Sequence, residues 1–366
     1  MALLISLTIL LFLGVIQAIV PYLVKRTVVF GVMIPEQHIK DDYVVSYKKQ
    51  YSILALIFSL LMILMFCSWI SLKNPSDELL ILVCTVIEFG IIFVNLALFY
   101  YFREKMKQYK EEMQWTKQMK QVSVVDVSVR SEDHLPPWFI YLFPMVITIG
   151  LIVYTLYQYD LLPNQIPTHW GLNGEPDAFT EKTPLTAIQM LLFLLLLQLM
   201  FLGIQIGMKF SGIKLSATNL TASKNRQLTL RKSTSWFSFY TVLLLTMLFS
   251  FFQLTTIHPE LFGDSILKTI LPFGFLFLIL VGTIVLVVKV GRSDKTPPAS
   301  LEKGIMDVND DQYWKAGLFY FNKNDPSIFV EKRFGVGWTI NLANPIGFLI
   351  LIVPIVIILI ITLLIN

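Results

Sequence analysis

Charged residues are scarce in this chain. Only 15% of its 366 residues are Asp, Glu, Lys or Arg, and 55% are hydrophobic. A soluble domain carries about 25% charge, so a water-surrounded globule is excluded. Cysteine is nearly missing: Cys67 and Cys84 are the whole supply, which excludes a disulfide framework. Both fall in apolar runs and read as small buried hydrophobes, with a bond between them as the lesser alternative. There is also no HExxH, no Gly-rich phosphate loop and no CxxC pair. Zinc-protease, nucleotide-binding and thiol-redox chemistry therefore have no motif to stand on. No catalytic residue, cofactor or resident metal is expected.

What the chain has in quantity is apolar length. Eight runs occur, at about 2–24, 52–72, 79–101, 137–157, 186–207, 236–254, 266–290 and 345–365. Each approaches the ~20 residues that carry a helix across hydrocarbon, whereas barrel strands would be shorter and alternating. The expected fold class is an all-α polytopic integral membrane protein in a lipid bilayer. It has about eight transmembrane helices, one ordered extracytoplasmic hairpin loop and a small cytoplasmic α+β cap. The chain divides into 1–101 (three helices and a connector), 102–136 (helix and strand), 137–207 (two helices flanking a loop at 158–185), 208–290 (connector and two helices), 291–344 (an aromatic module) and 345–366 (the last helix).

Basic residues are confined to alternate connectors. Of 29 Lys and Arg, only Lys73, Lys182 and Lys268 lie on the second, fourth and sixth. Positive connectors stay in the cytoplasm, so both termini and the 158–185 loop are expected outside. Residues 162–184 carry Pro163, Pro167, Pro176 and Pro184 together with Gly171 and Gly174. Such a loop is shaped rather than slack. Asn173-Gly174 predicts a tight turn, and Thr183-Pro184 a helix N-cap followed by proline at the first helical position. Trp170 and Phe179 are expected at the membrane interface, and His169 and Asp177 are expected to tie the hairpin by hydrogen bonds. A metal held by His169, Glu175, Asp177 and His258 is the sharper alternative, without a recognised zinc spacing.

The only ionisable side chain in mid-span is Glu88, with Asn95 seven residues on along the same helix face. Intramembrane carboxylates are costly and are functional candidates by default. Helix glue is the plainer reading; an ion or proton site is the other.

On the cytoplasmic side, 36–47 reads as a structural connector, with a short polar surface helix as the alternative. Phe102, Met106, Tyr109, Met113 and Thr116 predict one stripe on a helix that continues from the third span. Val125, Val127 and Val129 alternate with polar residues, predicting a strand paired with 318–322 or 328–334. Residues 209–235 read as a basic connector. The aromatic module 307–345 contains Tyr313, Trp314, Lys332, Arg333 and Trp338, and Asn324-Asp325-Pro326 predicts a hairpin turn. Its aromatics suit a cap core and its lysines anionic lipid heads. No nucleic acid is implied, but a soluble cytosolic partner would dock here.

Two stretches resemble known families. LPNQIPTHWGLNGEPDAFTEKTP resembles the hallmark of an uncharacterised bacterial membrane domain shared with SdpI-type proteins, which are immunity proteins and signal transducers. The resemblance marks Pro163, Pro167, His169, Gly174, Pro176 and Asp177 as signature positions. DDQYWKAGLFYFNKNDPSIFVEKRFGVGWTINLANP resembles a second uncharacterised module that often accompanies the first. The resemblance implies a bacterial plasma-membrane protein, to which 22 lysines against seven arginines are also suited. The expected function is a non-enzymatic sensor or immunity-type protein that responds to an envelope-active peptide or lipid. The alternative is a transporter, or its accessory subunit, that uses Glu88.

Overall fold

The computed structural model describes residues 2–115, 119–124, 127–171, 175–262, 266–293 and 305–365. Nine helices lie among them: α1 (Ala2–Leu23), α2 (Asp42–Lys73), α3 (Asp77–Glu112), α4 (Leu142–Tyr157), α5 (Pro184–Phe210), α6 (Leu220–Ile257), the short α7 (Pro259–Phe262), α8 (Leu267–Arg292) and α9 (Pro345–Ile365). All but α7 provide, within the described residues, eight stretches long and apolar enough to cross a membrane. They coincide with the eight apolar runs, because hydrocarbon leaves a backbone few ways to satisfy its hydrogen bonds except as helix. The chain has the architecture of a multi-pass membrane protein.

The helices form two groups. α1, α2 and α3 pack on one another, as do α4, α5 and α6. α8 packs on α6 and touches α1, and α9 leans on α5. The α1–α2 crossing is close: a Cβ built on Gly14 would stand 2.8 Å from the Cβ of Ser59. Nearby, the Ser52 hydroxyl donates to the Ala18 carbonyl at 2.6 Å.

Among the described residues, ten short strands pair two by two. β1 (Val28–Val29) and β2 (Val32–Met33) join across Phe30-Gly31. Both turn residues have φ > 0 (48° and 75°), the geometry of a two-residue hairpin. Phe30 is held there by its ring, which packs 5.3 Å from Tyr51 and 5.4 Å from Phe102. β3 (Lys120–Val122) runs parallel to β6 (Ile305–Asp307). β4 (Gln165–Trp170) and β5 (Pro176–Glu181) form a hairpin at the opposite end of the molecule. β7 (Trp314–Lys315) pairs with β8 (Phe319–Tyr320), and β9 (Phe329–Glu331) with β10 (Trp338–Ile340). The end that carries β1–β3 and β6–β10 is the capped end below; the other is the hairpin end.

Several expectations for the capped end need correction. Residues 36–47 hold a single 3-10 turn (Glu36–His38), and α2 already begins at Asp42, with Asp41 capping it through Tyr43 N. The stripe on α3 is real at Phe102, Met106 and Tyr109, which are buried. Met113, however, ends the helix and is exposed, and Thr116 lies outside the described residues. Trp115 takes over, stacked 4.5 Å from His38.

The strand expected at 125–129 is absent where it is described. Val127–Arg130 is a 3-10 turn, and Val125 and Asp126 lie outside the described residues. Three alternating valines cannot separate a strand from one tight turn. The strand lies earlier, at β3, and pairs with β6 rather than with 318–322 or 328–334. Asn324-Asp325-Pro326 links two hairpins instead of closing one. The chain reverses instead at Ala316-Gly317 (φ 52° and 72°) and at 332–337, where Gly335 and Gly337 have φ > 0. The basic connector 209–235 is mostly helix, because Asn219 caps α6 through Ala222 N and the helix then runs 38 residues without a break.

Candidate functional site

The hairpin end is built on proline and on a register shift. Pro163 is exposed just after the 3-10 turn Tyr159–Leu161, and Pro167 pairs with Phe179. Beyond it the register slips at His169, which pairs with Ala178, while Trp170 pairs with Pro176. A bulge re-aims the side chains of a strand. Here it leaves His169 Nδ1 and Asp177 Oδ1 2.5 Å apart on the surface, the side chains 69% and 53% exposed. Gly174 lies outside the described residues.

The hairpin's base is a small core. Leu162 and Ile166 are buried against Ala187 of α5 and Ile257 of α6. Lys182 donates to the Leu162 carbonyl at 2.8 Å and lies over the Tyr159 ring. Thr183 and Thr186 form the expected cap, each side chain accepting from the other's backbone N–H. Trp170, half-buried, packs 4.7 Å from Phe252 of α6, and Phe179 is exposed. Glu175 is 3.3 Å from Lys268 of α8.

The other two residues of the metal alternative meet partners of their own. Glu175 is held by Lys268, and His258 Nε2 meets the Tyr154 hydroxyl at 2.7 Å. Among the described residues no group of three or more His, Cys, Asp or Glu is placed to hold a metal.

Within the helices the structure places Glu88 and Asn95 on α3 without joining them. Glu88 is half-buried, with Oε1 3.4 Å from the Cys84 thiol. Asn95 is fully buried; its amide donates to Ile91 O at 2.8 Å, and its Oδ1 has no partner among the described residues. Cys67 and Cys84 are both free, so the disulfide alternative is not formed. Glutamines tie the second helix group instead. Gln198 donates to Thr148 and Thr246, and Gln253 to Thr155 and the Ala187 carbonyl. Unlike charges, these neutral amides cost little to keep in a helix bundle.

The capped end is held by buried ion pairs. Arg333 donates to the Gly31 carbonyl at 2.6 Å and to Asp310 and Asp311. Lys110 reaches Asp311 from α3 at 2.7 Å. Arg226 of α6, 1% exposed, donates to Glu331 at 2.6 Å and to the last carbonyls of two other helices, Leu23 O at 3.0 Å and Val290 O at 3.5 Å. Arg231 binds Asp133 at 2.8 Å and the Met208 carbonyl, with Trp338 alongside it. The Trp338 indole donates to Thr234 at 3.1 Å.

Sequence reasoning missed Arg226 and Arg231. Ser223, Arg226, Gln227, Leu230 and Arg231 are all buried, at the three-and-four spacing of one helix face. That polar stripe was the available signal. It also missed Asn341, which is fully buried. Its amide group donates to the Asn322 and Asp325 carbonyls and its oxygen accepts from Asn322 N.

Between Lys25 at the end of α1, Lys214 in the α5–α6 connector, and Trp314, Tyr320, Lys332 and Arg333 lies a cavity of about 660 Å³. Tyr313 is on its wall, its carbonyl accepting from Phe321 N at 2.9 Å. Burial alone would raise the Asp325 carboxyl, but hydrogen bonds from Lys214 and Ser327 outweigh it and hold the group down at about 2. Asp311 is likewise lowered: Arg333 and Lys110 overcome the cost of its burial.

A carboxylate depressed in the folded state stabilises above its unfolded pKa and loses that contribution as pH falls toward the folded value. Asp325 therefore contributes on the order of 2 kcal/mol at pH 7, lost between about pH 4 and pH 2. In thermal unfolding of detergent-solubilised protein, Asp325→Asn should melt well below the unmodified chain at pH 7. The gap should narrow through that acid window; a gap independent of pH would contradict the assignment.

Two segments match known families. Residues 146–195, which run from within α4 through the hairpin into α5, match a domain of unknown function (DUF1648). Residues 323–347, from just before Asp325 into α9, match a family of unknown function (DUF5808). No curated protein matches the chain, and no solved structure does. At its hairpin end, then, the chain is similar to a domain found in SdpI-like membrane proteins, and at its capped end to a family without an assigned role.

Proposed function

We propose that this chain is a non-enzymatic sensor or immunity-type protein of a bacterial plasma membrane. The hairpin and both termini face outward and the capped end faces the cytosol. The hairpin receives an envelope-active peptide or lipid, and the cap engages a soluble partner. The charge asymmetry of the connectors supports this sidedness, and the similarity of residues 146–195 to a domain of SdpI-like proteins supports the class.

The observation that carries the reading is the reach of α6. It is a single 38-residue helix, about 57 Å long at 1.5 Å per residue. At one end its Phe252 and Ile257 bear on the hairpin. At the other its Arg226 and Arg231 anchor the cap. A ligand that prefers one placement of the hairpin shifts the molecule by its difference in affinity for the two placements. A rigid helix gripping both sites makes the cap part of that difference.

Deleting 166–177 in the native host should change sensitivity to at least one envelope-active peptide while the protein still accumulates in the membrane. Unchanged sensitivity across the whole peptide panel would end the proposal.

A further inference from the structure

The β4–β5 hairpin has a face and an edge left open among the described residues. Ile166 is buried against α5 and α6, and side chains alternate across a strand, so its neighbours Gln165 and Pro167 point away from the bundle. Glu181 and Phe179 stand directly across from these two and point the same way. Both are exposed, about 7 Å apart along β5, and the Glu181 carboxylate makes no ion pair among the described residues. The edge follows from the register. Lys182 N donates to Asn164 O at 3.0 Å. Opposed pairs of an antiparallel ladder alternate between bonded and unbonded, so Ile166 and Thr180 are the next bonded pair, and Pro167 and Phe179 are an unbonded one. The N–H and carbonyl of Phe179 therefore point outward from β5, on a side where the two-stranded sheet has no further strand. The Glu181 carbonyl on the same edge is taken by the Thr186 hydroxyl at 2.7 Å, so the open stretch runs from Phe179 toward the tip. An unpaired edge is a template for another extended chain. Charge decides what kind. Among the described residues of this end, Asp160, Glu175, Asp177, Glu181 and Glu260 are all exposed. The two lysines are already engaged, Lys182 by the Leu162 carbonyl and the Tyr159 ring and Lys268 by Glu175.

We propose, resting on the reading of the hairpin as the receiving site, that its ligand is a cationic peptide that adds as an extended strand along β5. Main-chain bonds to Phe179 supply affinity, and side chains on the outward face supply specificity. An apolar residue of the peptide covers the Phe179 ring and Pro167, and a basic residue two positions away meets Glu181. An anionic lipid offers neither the strand nor the charge.

The test uses the full chain in nanodiscs of phosphatidylcholine, titrated calorimetrically with a short peptide of repeated Val-Thr-Lys-Thr and, in parallel, with its Val-Thr-Glu-Thr counterpart. A third probe is the lysine peptide N-methylated at valine and lysine, the residues whose N–H groups would face β5. Saturable one-site binding of the lysine peptide is expected, with none of the glutamate peptide and none after N-methylation, which removes main-chain donors and keeps the charge. Glu181→Gln should weaken binding about fivefold, the upper end for one exposed ion pair, and Phe179→Ala at least as much. Both side chains are exposed, so both variants should melt like the unmodified protein. Full-strength binding in both variants, beside a 166–177 deletion that still alters sensitivity, would sink this inference and leave the reading of the site standing. Binding as expected, beside a deletion that alters no sensitivity, would keep the peptide site and remove its sensory role. Equal binding of the glutamate or N-methylated peptide, or no saturable binding because the leaflet or a second copy of the chain covers the face, would overturn the proposal.

Discussion

Replacing Arg226 with alanine should lower the stability of the protein by about 3–5 kcal/mol, the cost of leaving one member of a buried ion pair alone. The guanidinium has three kinds of partner. It offsets the Glu331 carboxylate, whose side chain is 12% exposed, and it terminates the carbonyl ladders of α1 and α8. In the alanine variant Glu331 keeps, among the described residues, the amide of Gln227, at 2.6 Å, and Leu23 O loses the donor supplied by Arg226. The double variant Arg226→Met, Glu331→Leu separates charge from packing, since a buried pair replaced by apolar side chains of similar volume is often neutral or stabilising. The single variant should unfold far earlier in a detergent thermal melt, and the double variant should recover most of the loss. Equal melting of Arg226→Ala and the unmodified chain would mean that the junction between the two helix groups does not depend on this residue.

Gly14→Leu should cost about 3 kcal/mol, near the upper end of what added volume costs in a packed interior. The first added carbon already meets the Cβ of Ser59 at 2.8 Å. That atom is fixed to its backbone and cannot rotate away, so α1 and α2 must part. Gly14→Ala should cost less, about 1–2 kcal/mol. Adding Ser59→Gly to it should return most of that by removing the atom in the way, at a smaller cost for a glycine inside a helix. If Gly14→Leu melted unchanged, the two helices would not cross as closely as described.

The parts of this molecule that were legible in its sequence are those where one local rule decides. Apolar length predicted eight crossings, because a helix is the single economical way through hydrocarbon. Proline spacing and Thr183 predicted the hairpin end and the start of α5 for a similar reason: they constrain backbone locally. The capped end was legible only as an aromatic, mixed-charge module. Its strands are two or three residues long, too short for a periodicity to show. Its turns use Ala316, which reaches φ 52°, an unusual conformation for alanine that no turn signal announces. Its ion pairs join residues as far apart as Lys110 and Asp311, and separations of that kind leave no trace in a local pattern. The hairpin-end contacts of Glu175 with Lys268 and of His258 with Tyr154 are long-range in the same way.

The Arg226–Glu331 pair also sets an order of events during synthesis. The arginine leaves the ribosome 105 residues ahead of its carboxylate, and the Leu23 carbonyl that it also holds is made 203 residues before the arginine itself. The early helices and the two carbonyls are therefore made first, and the arginine has no counter-ion from Glu331 until β9 has been made. Neutralisation belongs to the last stage of biogenesis, and a chain halted before residue 331 would have every helix-end partner of the arginine but not the carboxylate that offsets its charge.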